Sequence, residues 1–205
     1  MKGYKVESIP ALYKDCQAIV VAPGPSLTPT VVEQLRSVKH KYAIVGVGDV
    51  YKLIDFMDEH YACDGRWWKF HGPKINKMRP GLSSWCHDEE GINYGAKQIN
   101  TSNADGFSTD PSRINQGANS GFQALNLAYL FGFTKIYLVG YNMQRVNNKQ
   151  HFFTDRTPSL AINSPYGKFV ANYNLIQANI RKKIINCTPD SALRCFEKQN
   201  LEDLL

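Results

Sequence analysis

The sequence between residues 17 and 27 reads QAIVVAPGPSL. Residues 17–22 are short, apolar and rich in β-branched side chains, which is typical of a buried strand. Thr28 and Pro29 can then cap and open a helix. Ligands of open α/β sheets bind beyond the carboxyl ends of strands, where a helix N-terminus attracts phosphate. The turn is therefore predicted to bind a nucleotide, with a plain strand-to-helix turn as the alternative. Its residues are Pro23, Gly24, Pro25 and Ser26.

The dinucleotide and P-loop motifs are both missing from this turn, because it lacks G-x-G-x-x-G and no Walker lysine follows. Gly24 is predicted to allow a close backbone approach to the ligand, while the two prolines hold the turn rigid.

Further apolar segments alternate with helical patterns along the chain. Strands are predicted at 17–22, 42–47, 60–63, 135–139 and 183–187, with a weaker candidate at 96–101. Helices are predicted after Thr28, from Asn119 to Gly132, over 170–182 and, as a short one, after Pro189. This alternation predicts an α/β, Rossmann-like, mostly parallel sheet with helices on both faces. Residues 68–116 are rich in Gly, Pro, Asn and Ser, and they predict an irregular insertion at one edge.

Length and composition predict one domain over residues 1–205. The chain has 205 residues, with 43% hydrophobic and 20% charged residues, which is an ordinary globular composition. Neither a membrane-spanning run nor a signal peptide is visible, so we expect a cytoplasmic protein with its five cysteines reduced. The net charge of +6 favours anionic partners such as nucleotides, anionic sugars or nucleic acid. The cluster of three basic residues at 181–183 is interpreted either as a solvated helix end or as a contact with a polyanion.

A second strand-to-helix junction carries three adjacent small or polar residues. Asn119, Ser120 and Gly121 are predicted to present hydrogen-bond donors to a base or ribose. The alternative is that the junction holds only an ordinary helix N-cap.

A third group follows the strand at 135–139. It comprises residues 140–144, GYNMQ, of which Gly140, Tyr141 and Gln144 are the candidate site residues, and it leads into the loop QHFFTD at 150–155. His151 and Asp155 lie in this loop, on the carboxyl side of the sheet where catalytic loops are found. The alternative for His151 is an ordinary polar residue at the surface.

Asp64 follows the strand at 60–63 and can accept a hydrogen bond from a ribose or base. The adjacent tryptophans, Trp67 and Trp68, either stack on a ring or anchor the insertion to the core. Zinc binding is not predicted, because the His and Cys residues at 60, 63, 86 and 87 lack the paired spacing of a structural site.

Three segments resemble the bacterial CMP-sialic-acid-dependent sialyltransferases with a Rossmann-like fold. The segment VVAPGPSL at 20–27 is similar to the family's GNGPSL, and NSG at 119–121 with GFTKIYLVG at 132–140 resembles TSG…ALGYKEIYLSG. The segment CTPDSAL at 187–193 resembles CPNSLL. The wider superfamily includes flagellin-glycosylation accessory proteins and a hydroxymethylpterin pyrophosphokinase. Small phage-borne members with HFFGD-like loops match residues 150–155 best.

The resemblance implies that Gly24–Ser26, Asp64 and Ser120 approach a cytidine nucleotide. The chain departs from the family at several positions. Pro23 replaces the asparagine of the family's glycine-rich loop. A second asparagine of the family's donor site corresponds to residues 47–48, and neither of these residues has a side-chain amide. Gln144 falls where the family has the tyrosine that stabilises the leaving phosphate. The family's histidine base has no clear counterpart, which leaves His151 as the candidate.

These features predict a nucleotide-sugar-dependent glycosyltransferase, phage-associated and acting in the host cytoplasm. The donor would be a CMP- or UDP-linked sugar, and no metal or other cofactor is predicted. His151 or Asp155 would be the base, while Tyr141, Gln144 and the helix N-terminus at Ser120 would hold the phosphate. The acceptor is left open among a glycan, a protein and modified DNA, and homo-oligomer formation is also left open. The alternatives are a diphosphotransferase of the pterin pyrophosphokinase type and a non-catalytic protein that binds or sequesters a nucleotide.

Overall fold

The structure is a computed structural model that describes residues 8–153 and 163–205. In this part of the chain, eight parallel strands form one sheet in the order β10-β9-β8-β1-β2-β3-β4-β5, and a parallel pair, β6-β7, lies apart from it. The strands are β1 Gln17–Val21, β2 Ala43–Val47, β3 Glu59–Tyr61, β4 Ser83–Cys86, β5 Lys97–Gln98, β6 Asn100–Ser102, β7 Arg113–Asn115, β8 Lys135–Val139, β9 Ile184–Asn186 and β10 Glu197–Lys198.

Helices cover both faces of the sheet, as predicted. The helices are α1 Pro29–Val38, α2 Gly65–Met78, α3 Ser120–Leu130, α4 Tyr166–Asn174 and α5 Ala178–Arg181, with 3₁₀ helices at Gly48–Lys52, Glu89–Tyr94 and Leu201–Leu204. Alternate residues of β1 point to opposite faces, as the two-residue period of a strand requires. Val20 packs in the cluster that contains α3, whereas Ile19 packs in the cluster that contains α1. None of the helices in the described ranges is long and apolar enough to cross a membrane.

The two predicted strand-to-helix junctions form as the sequence indicates. Thr28 Oγ1 accepts a hydrogen bond from the Val31 amide at 3.3 Å, and Pro29 begins α1. Asn119 Oδ1 accepts from the Phe122 amide at 2.9 Å and so caps α3. Gly132 has a φ of +90°, which explains why the chain leaves the helix there.

Residues 68–116 are more regular than predicted. They contain most of α2, two strands of the main sheet and both strands of the β6-β7 pair. Gly72 and Pro73 lie inside α2, and both residue types normally argue against a helix interior. A Cβ at Gly72 would lie 2.3 Å from the Tyr94 ring, so tertiary packing accounts for the glycine. The predicted strand at 96–101 is divided between β5 and β6, which belong to different sheets.

The C-terminal third also differs from the prediction. The single helix predicted at 170–182 is two helices, α4 and α5, interrupted at residues 175–177. Gln177 explains the interruption, because its side chain makes two hydrogen bonds of 3.0 Å with the backbone of Phe107. The short helix predicted directly after Pro189 is wrong. A 3₁₀ helix occurs later, at Leu201–Leu204, and the strand β10 was not predicted.

The order of the strands places a crevice between β1 and β8. From β1 the chain moves outward through β2, β3, β4 and β5, and then returns to β8 on the other side of β1. Such a reversal is the point at which open α/β sheets bind ligands, beyond the carboxyl ends of the strands.

Candidate functional site

A cavity of about 270 Å³ lies at this reversal point, at the carboxyl ends of β1, β2, β3 and β8 and at the N-terminus of α3. It collects residues from all of the predicted segments, although they are separated by as many as 128 positions, from 23 to 151. The predicted site residues that line it are Pro23, Gly24, Asp64, Asn119, Ser120, Gly121, Gly140 and His151.

Other predicted site residues lie outside the cavity wall. Tyr141 is fully buried, and its hydroxyl donates to the Gly121 carbonyl at 3.0 Å. The Gln144 amide donates to the Asp190 carbonyl. Pro25 and Ser26, in the second half of the turn, are half-buried and do not line this cavity, and Asp155 lies outside the described residues. Tyr141 and Gln144 therefore support the loops around the cavity and do not line it.

The glycine-rich turn packs against the turn that follows β8. The Gly24 amide donates to the Gly140 carbonyl at 3.0 Å. A Cβ at Gly24 would lie 2.1 Å from that carbonyl oxygen, and a Cβ at Gly140 would lie 2.0 Å from the Ala22 oxygen. Gly140 also has a φ of +75°. Both glycines are thus explained by the contact between two turns, whereas the sequence interpretation attributed Gly24 to ligand approach.

Asn142 joins three loops at the cavity edge and was not predicted to do so. Its Oδ1 accepts from the Ser26 hydroxyl at 2.8 Å and from the Ser26 amide at 3.2 Å. Its Nδ2 donates to the Pro189 carbonyl at 3.3 Å. Asn142 is only 2% exposed, yet it lines the cavity. The turn after β1 is therefore fixed to the segments that follow β8 and β9.

The N-terminus of α3 meets the end of β3 through a serine and a cysteine. Ser120 Oγ donates to Cys63 Sγ at 2.8 Å, and both residues line the cavity. Burial raises the pKa of the Cys63 thiol to about 11. Cys63 is therefore protonated at neutral pH and is not a nucleophile there.

Asp64 caps α2 and keeps its charge. Its Oδ1 accepts from the Arg66 amide at 2.8 Å, and Oδ2 pairs with the Arg66 guanidinium at 3.1 Å. Burial raises the pKa of Asp64, but the Arg66 hydrogen bonds and charge outweigh it and lower the net pKa. The carboxylate is ionised at neutral pH and can accept a hydrogen bond from a ligand hydroxyl.

Asp49 is a cavity residue that the sequence interpretation missed. Its carboxylate lies 2.9 Å from Lys52 Nζ, 3.2 Å from Trp67 Nε1 and 3.4 Å from His71 Nε2. Asp49 follows the end of β2 by two residues, so the reasoning that selected Asp64 after β3 applies to it equally.

The tryptophan pair anchors α2, and Trp67 also lines the cavity. The Trp67 ring packs against His60 and His71, with ring centroids 5.5 and 4.8 Å away and interplanar angles of 31° and 24°. Trp68 is fully buried and donates to the Ala62 carbonyl at 3.0 Å.

His151 lies on the cavity wall and is half-buried. Its ring stacks on Phe153, with centroids 5.3 Å apart and an interplanar angle of 14°. The Phe152 amide donates to the Pro23 carbonyl at 3.1 Å, which fixes this loop to the glycine-rich turn. Gln150 Oε1 accepts from the Ser164 amide at 3.2 Å, so residues on both sides of 154–162 meet at the cavity.

The residues considered for zinc have other partners. His60 Nε2 lies 3.0 Å from the Gly48 carbonyl, His87 Nδ1 lies 3.4 Å from the Tyr61 hydroxyl, and Cys86 contacts the Lys97 carbonyl. Within residues 8–153 and 163–205, no group of three or more His, Cys, Asp or Glu side chains is arranged to hold a metal ion.

Comparison with solved structures finds the same fold in the MAf glycosyltransferase from Magnetospirillum magneticum AMB-1, with a TM-score of 0.70. The two proteins share a fold. The match covers 98% of this chain but only 36% of the glycosyltransferase, at 12% sequence identity. Neither a scan of protein-family models nor a search of curated proteins gives a match. The resemblance to sialyltransferases and to phage-borne members therefore stays a prediction.

Proposed function

We propose that the cavity binds a nucleotide sugar and that the chain transfers the sugar to an acceptor hydroxyl. One observation carries the proposal. The cavity lies at the strand-order reversal of a sheet whose fold matches that of a glycosyltransferase, and four strand ends and a helix N-terminus open into it. The match spans 36% of that enzyme, so the activity rests on the geometry of the cavity in this chain.

The N-terminus of α3 is the proposed phosphate site. An α-helix leaves its first amides without an intrahelical acceptor and carries roughly half a positive charge at that end. Asn119 caps the Phe122 amide, which leaves the amides of Ser120 and Gly121 at the cavity wall. These amides would stabilise negative charge on the departing nucleotide phosphate.

The charge of the cavity favours a donor with one phosphate. Among the described residues that line it, Asp49 and Asp64 carry charge and no lysine or arginine is present. A second phosphate would add negative charge beside two carboxylates whose cation partners, Lys52 and Arg66, are already engaged in ion pairs. A nucleoside monophosphate sugar, such as a CMP-linked one, is therefore the better fit than a UDP-linked one.

His151 is the proposed general base. It would take the proton of the acceptor hydroxyl as the acceptor oxygen bonds to the anomeric carbon. The bond between that carbon and the phosphate oxygen breaks, and its electron pair leaves with the nucleotide. Phe152 and Phe153 contact each other next to His151 and would reduce the access of water to it.

A thermal-shift series with CMP, UMP, UDP and AMP tests the binding step. At about 100 times Kd, a ligand adds about 2.7 kcal/mol to the free energy of unfolding, or roughly 5–10 °C in Tm for this size. We expect CMP or UMP to give the larger shift and UDP a smaller one. A shift with AMP alone, or no shift with any nucleotide at millimolar concentration, would contradict the proposal.

A matched pair of variants locates the phosphate. Ser120→Asp places a carboxylate at the start of α3, where it repels phosphate but suits the helix dipole. Thr30→Asp makes a similar change in the first turn of α1, at an exposed residue that does not line the cavity. We expect Ser120→Asp to abolish the nucleotide shift and Thr30→Asp to retain it. An unchanged shift in Ser120→Asp would place the phosphate elsewhere.

A further inference from the structure

A second cavity, of about 620 Å³, lies beside the first one at the same edge of the sheet. Its floor is formed at the ends of β8 and β9 by Val139, Asn186 and Thr188. Gln34 of α1 and the segment at 198–203 complete the wall, and they meet where Gln34 Nε2 donates to Glu202 Oε1 at 3.2 Å. Like the first cavity, it lies beyond the carboxyl ends of parallel strands, where such sheets bind ligands.

The floor of this cavity has hydrogen-bonding capacity that the fold does not use fully. Asn186 is 1% exposed, and its Oδ1 accepts from the Thr188 amide at 3.0 Å. Its amide nitrogen carries two N–H groups. Within the described residues, the acceptor found for that nitrogen is the Leu193 carbonyl at 3.5 Å, a long distance for a hydrogen bond. At least one N–H is therefore left for a buried ligand oxygen.

The rim of the cavity is acidic although the chain as a whole is basic. Asp190, Glu202 and Asp203 face one cation, Lys198, which gives a local charge of −2 from three carboxylates and one ammonium. The net charge of the chain is +6. An acidic rim repels the phosphodiester backbone of a nucleic acid. Neutral hydroxyl groups, in contrast, can donate hydrogen bonds to carboxylates and can exchange them in both directions with side-chain amides.

The two cavities are separated by a thin wall. Gly24 lines the first and Ser26 lines the second. Two residues of chain span at most about 7 Å, which is comparable to the length of one sugar ring with its substituents. The wall is fixed by the 2.8 Å hydrogen bond from Ser26 Oγ to Asn142 Oδ1.

We propose that the second cavity binds a neutral carbohydrate and that this carbohydrate is the acceptor. The binding part stands on the second cavity alone, and the acceptor part rests on the proposed function. A glycan held here by Asn186, Gln34 and Glu202 extends across the turn after β1. One of its hydroxyl groups then reaches the anomeric carbon of a donor in the first cavity. The acidic rim selects a glycan over DNA.

Nitrogen-15 NMR of the full chain tests the carbohydrate site without a nucleotide present. The probes are maltose, lactose, methyl N-acetylglucosaminide and a short DNA duplex, with each sugar at about 50 mM to detect millimolar Kd values. We expect at least one sugar to shift the side-chain amide signals of Asn186 and Gln34, and DNA to leave them unchanged. Shifts caused by DNA, or no shift with any of the three sugars, would overturn the proposal.

Two Glu→Gln variants provide a matched comparison. Glu202 lines the cavity, where it accepts from Gln34 Nε2 at 3.2 Å, whereas Glu33 on α1 is 72% exposed and lies outside it. We expect Glu202→Gln to weaken sugar binding about fivefold, because a charged acceptor is replaced by a neutral amide. Glu33→Gln should leave sugar binding unchanged. Equal Kd values for the sugar in the two variants would contradict the assignment of the carbohydrate site to this cavity.

The same spectra separate this proposal from the proposed function. Nucleotide binding is followed at the backbone amides of Ser120 and Gly121, in the first cavity. Sugar shifts at Asn186 without any nucleotide shift at Ser120 would support the carbohydrate site and reject the nucleotide site. Nucleotide shifts without sugar shifts would do the reverse.

Discussion

At the scale of single residues, a substitution of His151 distinguishes the effect on turnover from the effect on nucleotide binding. It lies on the cavity wall, and we expect His151→Ala to reduce turnover by about 10²–10⁴-fold because the acceptor hydroxyl loses its base. Nucleotide affinity should change by no more than a few fold, because the proposed phosphate contacts lie at Ser120 and Gly121. Steady-state turnover and a binding titration measure the two effects separately.

Two controls accompany this substitution. His151→Gln preserves a polar side chain of similar size but removes the imidazole that would accept the proton, so it should be as slow as His151→Ala. His40→Ala changes an exposed histidine outside the cavity and should have no effect. Turnover of either His151 variant within about threefold of the parent would remove His151 from the mechanism.

The sequence indicates strand-end residues well when they belong to a recognisable turn. Gly24 and Ser120 could be placed at the site because a strand precedes each one and a capped helix follows. Asn142 could not be distinguished from its neighbours, since all of them follow β8 directly. Its role depends on contacts with Ser26 and Pro189, which are 116 and 47 positions away. Contacts between residues so far apart in sequence leave no local pattern from which they could be predicted.

At the scale of elements, the contact between the turns after β1 and β8 holds the cavity open. Gly140→Ala combines a positive φ with a Cβ 2.0 Å from the Ala22 oxygen. Left-handed backbone costs about 1–2 kcal/mol for alanine, and displacing a buried backbone atom adds to it. We expect a loss of about 3 kcal/mol in the free energy of unfolding, or roughly 6–12 °C in Tm.

Gly81→Ala is the matched control for this prediction. Gly81 has a φ of +80°, but a Cβ there would meet no atom within 4 Å. Its cost should be the backbone strain alone, about 1–2 kcal/mol. Calorimetry of both variants measures the difference. Equal Tm values would mean that the close contact between the two turns carries no energetic weight.

Elements with a strong local pattern could be predicted, and elements made by tertiary contacts could not. Strand β8 was predicted at its observed bounds, because the four residues after Lys135 form an uninterrupted apolar run that ends at Gly140. Helix α2 escaped prediction because Gly72 and Pro73 lie inside it, and its stability comes from packing of Trp67 and Trp68. The interruption after α4 could not be predicted, because it depends on a hydrogen bond between Gln177 and Phe107, which are 70 positions apart.

At the scale of the whole molecule, the strand order brings separate segments to one edge of the sheet. Residues near positions 24, 49, 64, 120, 140 and 151 meet there because parallel strands end at the same level. The alternation of strands and helices indicated a parallel sheet, but it did not indicate that two cavities would form on either side of the turn after β1. That arrangement depends on the position of the C-terminal segment, which has little periodicity of its own.

Metal dependence is a property of the whole site, and we expect activity to be unchanged after EDTA treatment. Phosphate-bound Mg²⁺ in enzymes is held by carboxylates. The two carboxylates of the first cavity are already engaged, Asp49 by Lys52 at 2.9 Å and Asp64 by Arg66 at 3.1 Å. Releasing either one for a metal would break its ion pair. Donor turnover before and after EDTA measures the effect. A complete loss of activity that Mg²⁺ restores would contradict this prediction and would favour diphosphate transfer, since that chemistry requires the metal at its phosphates.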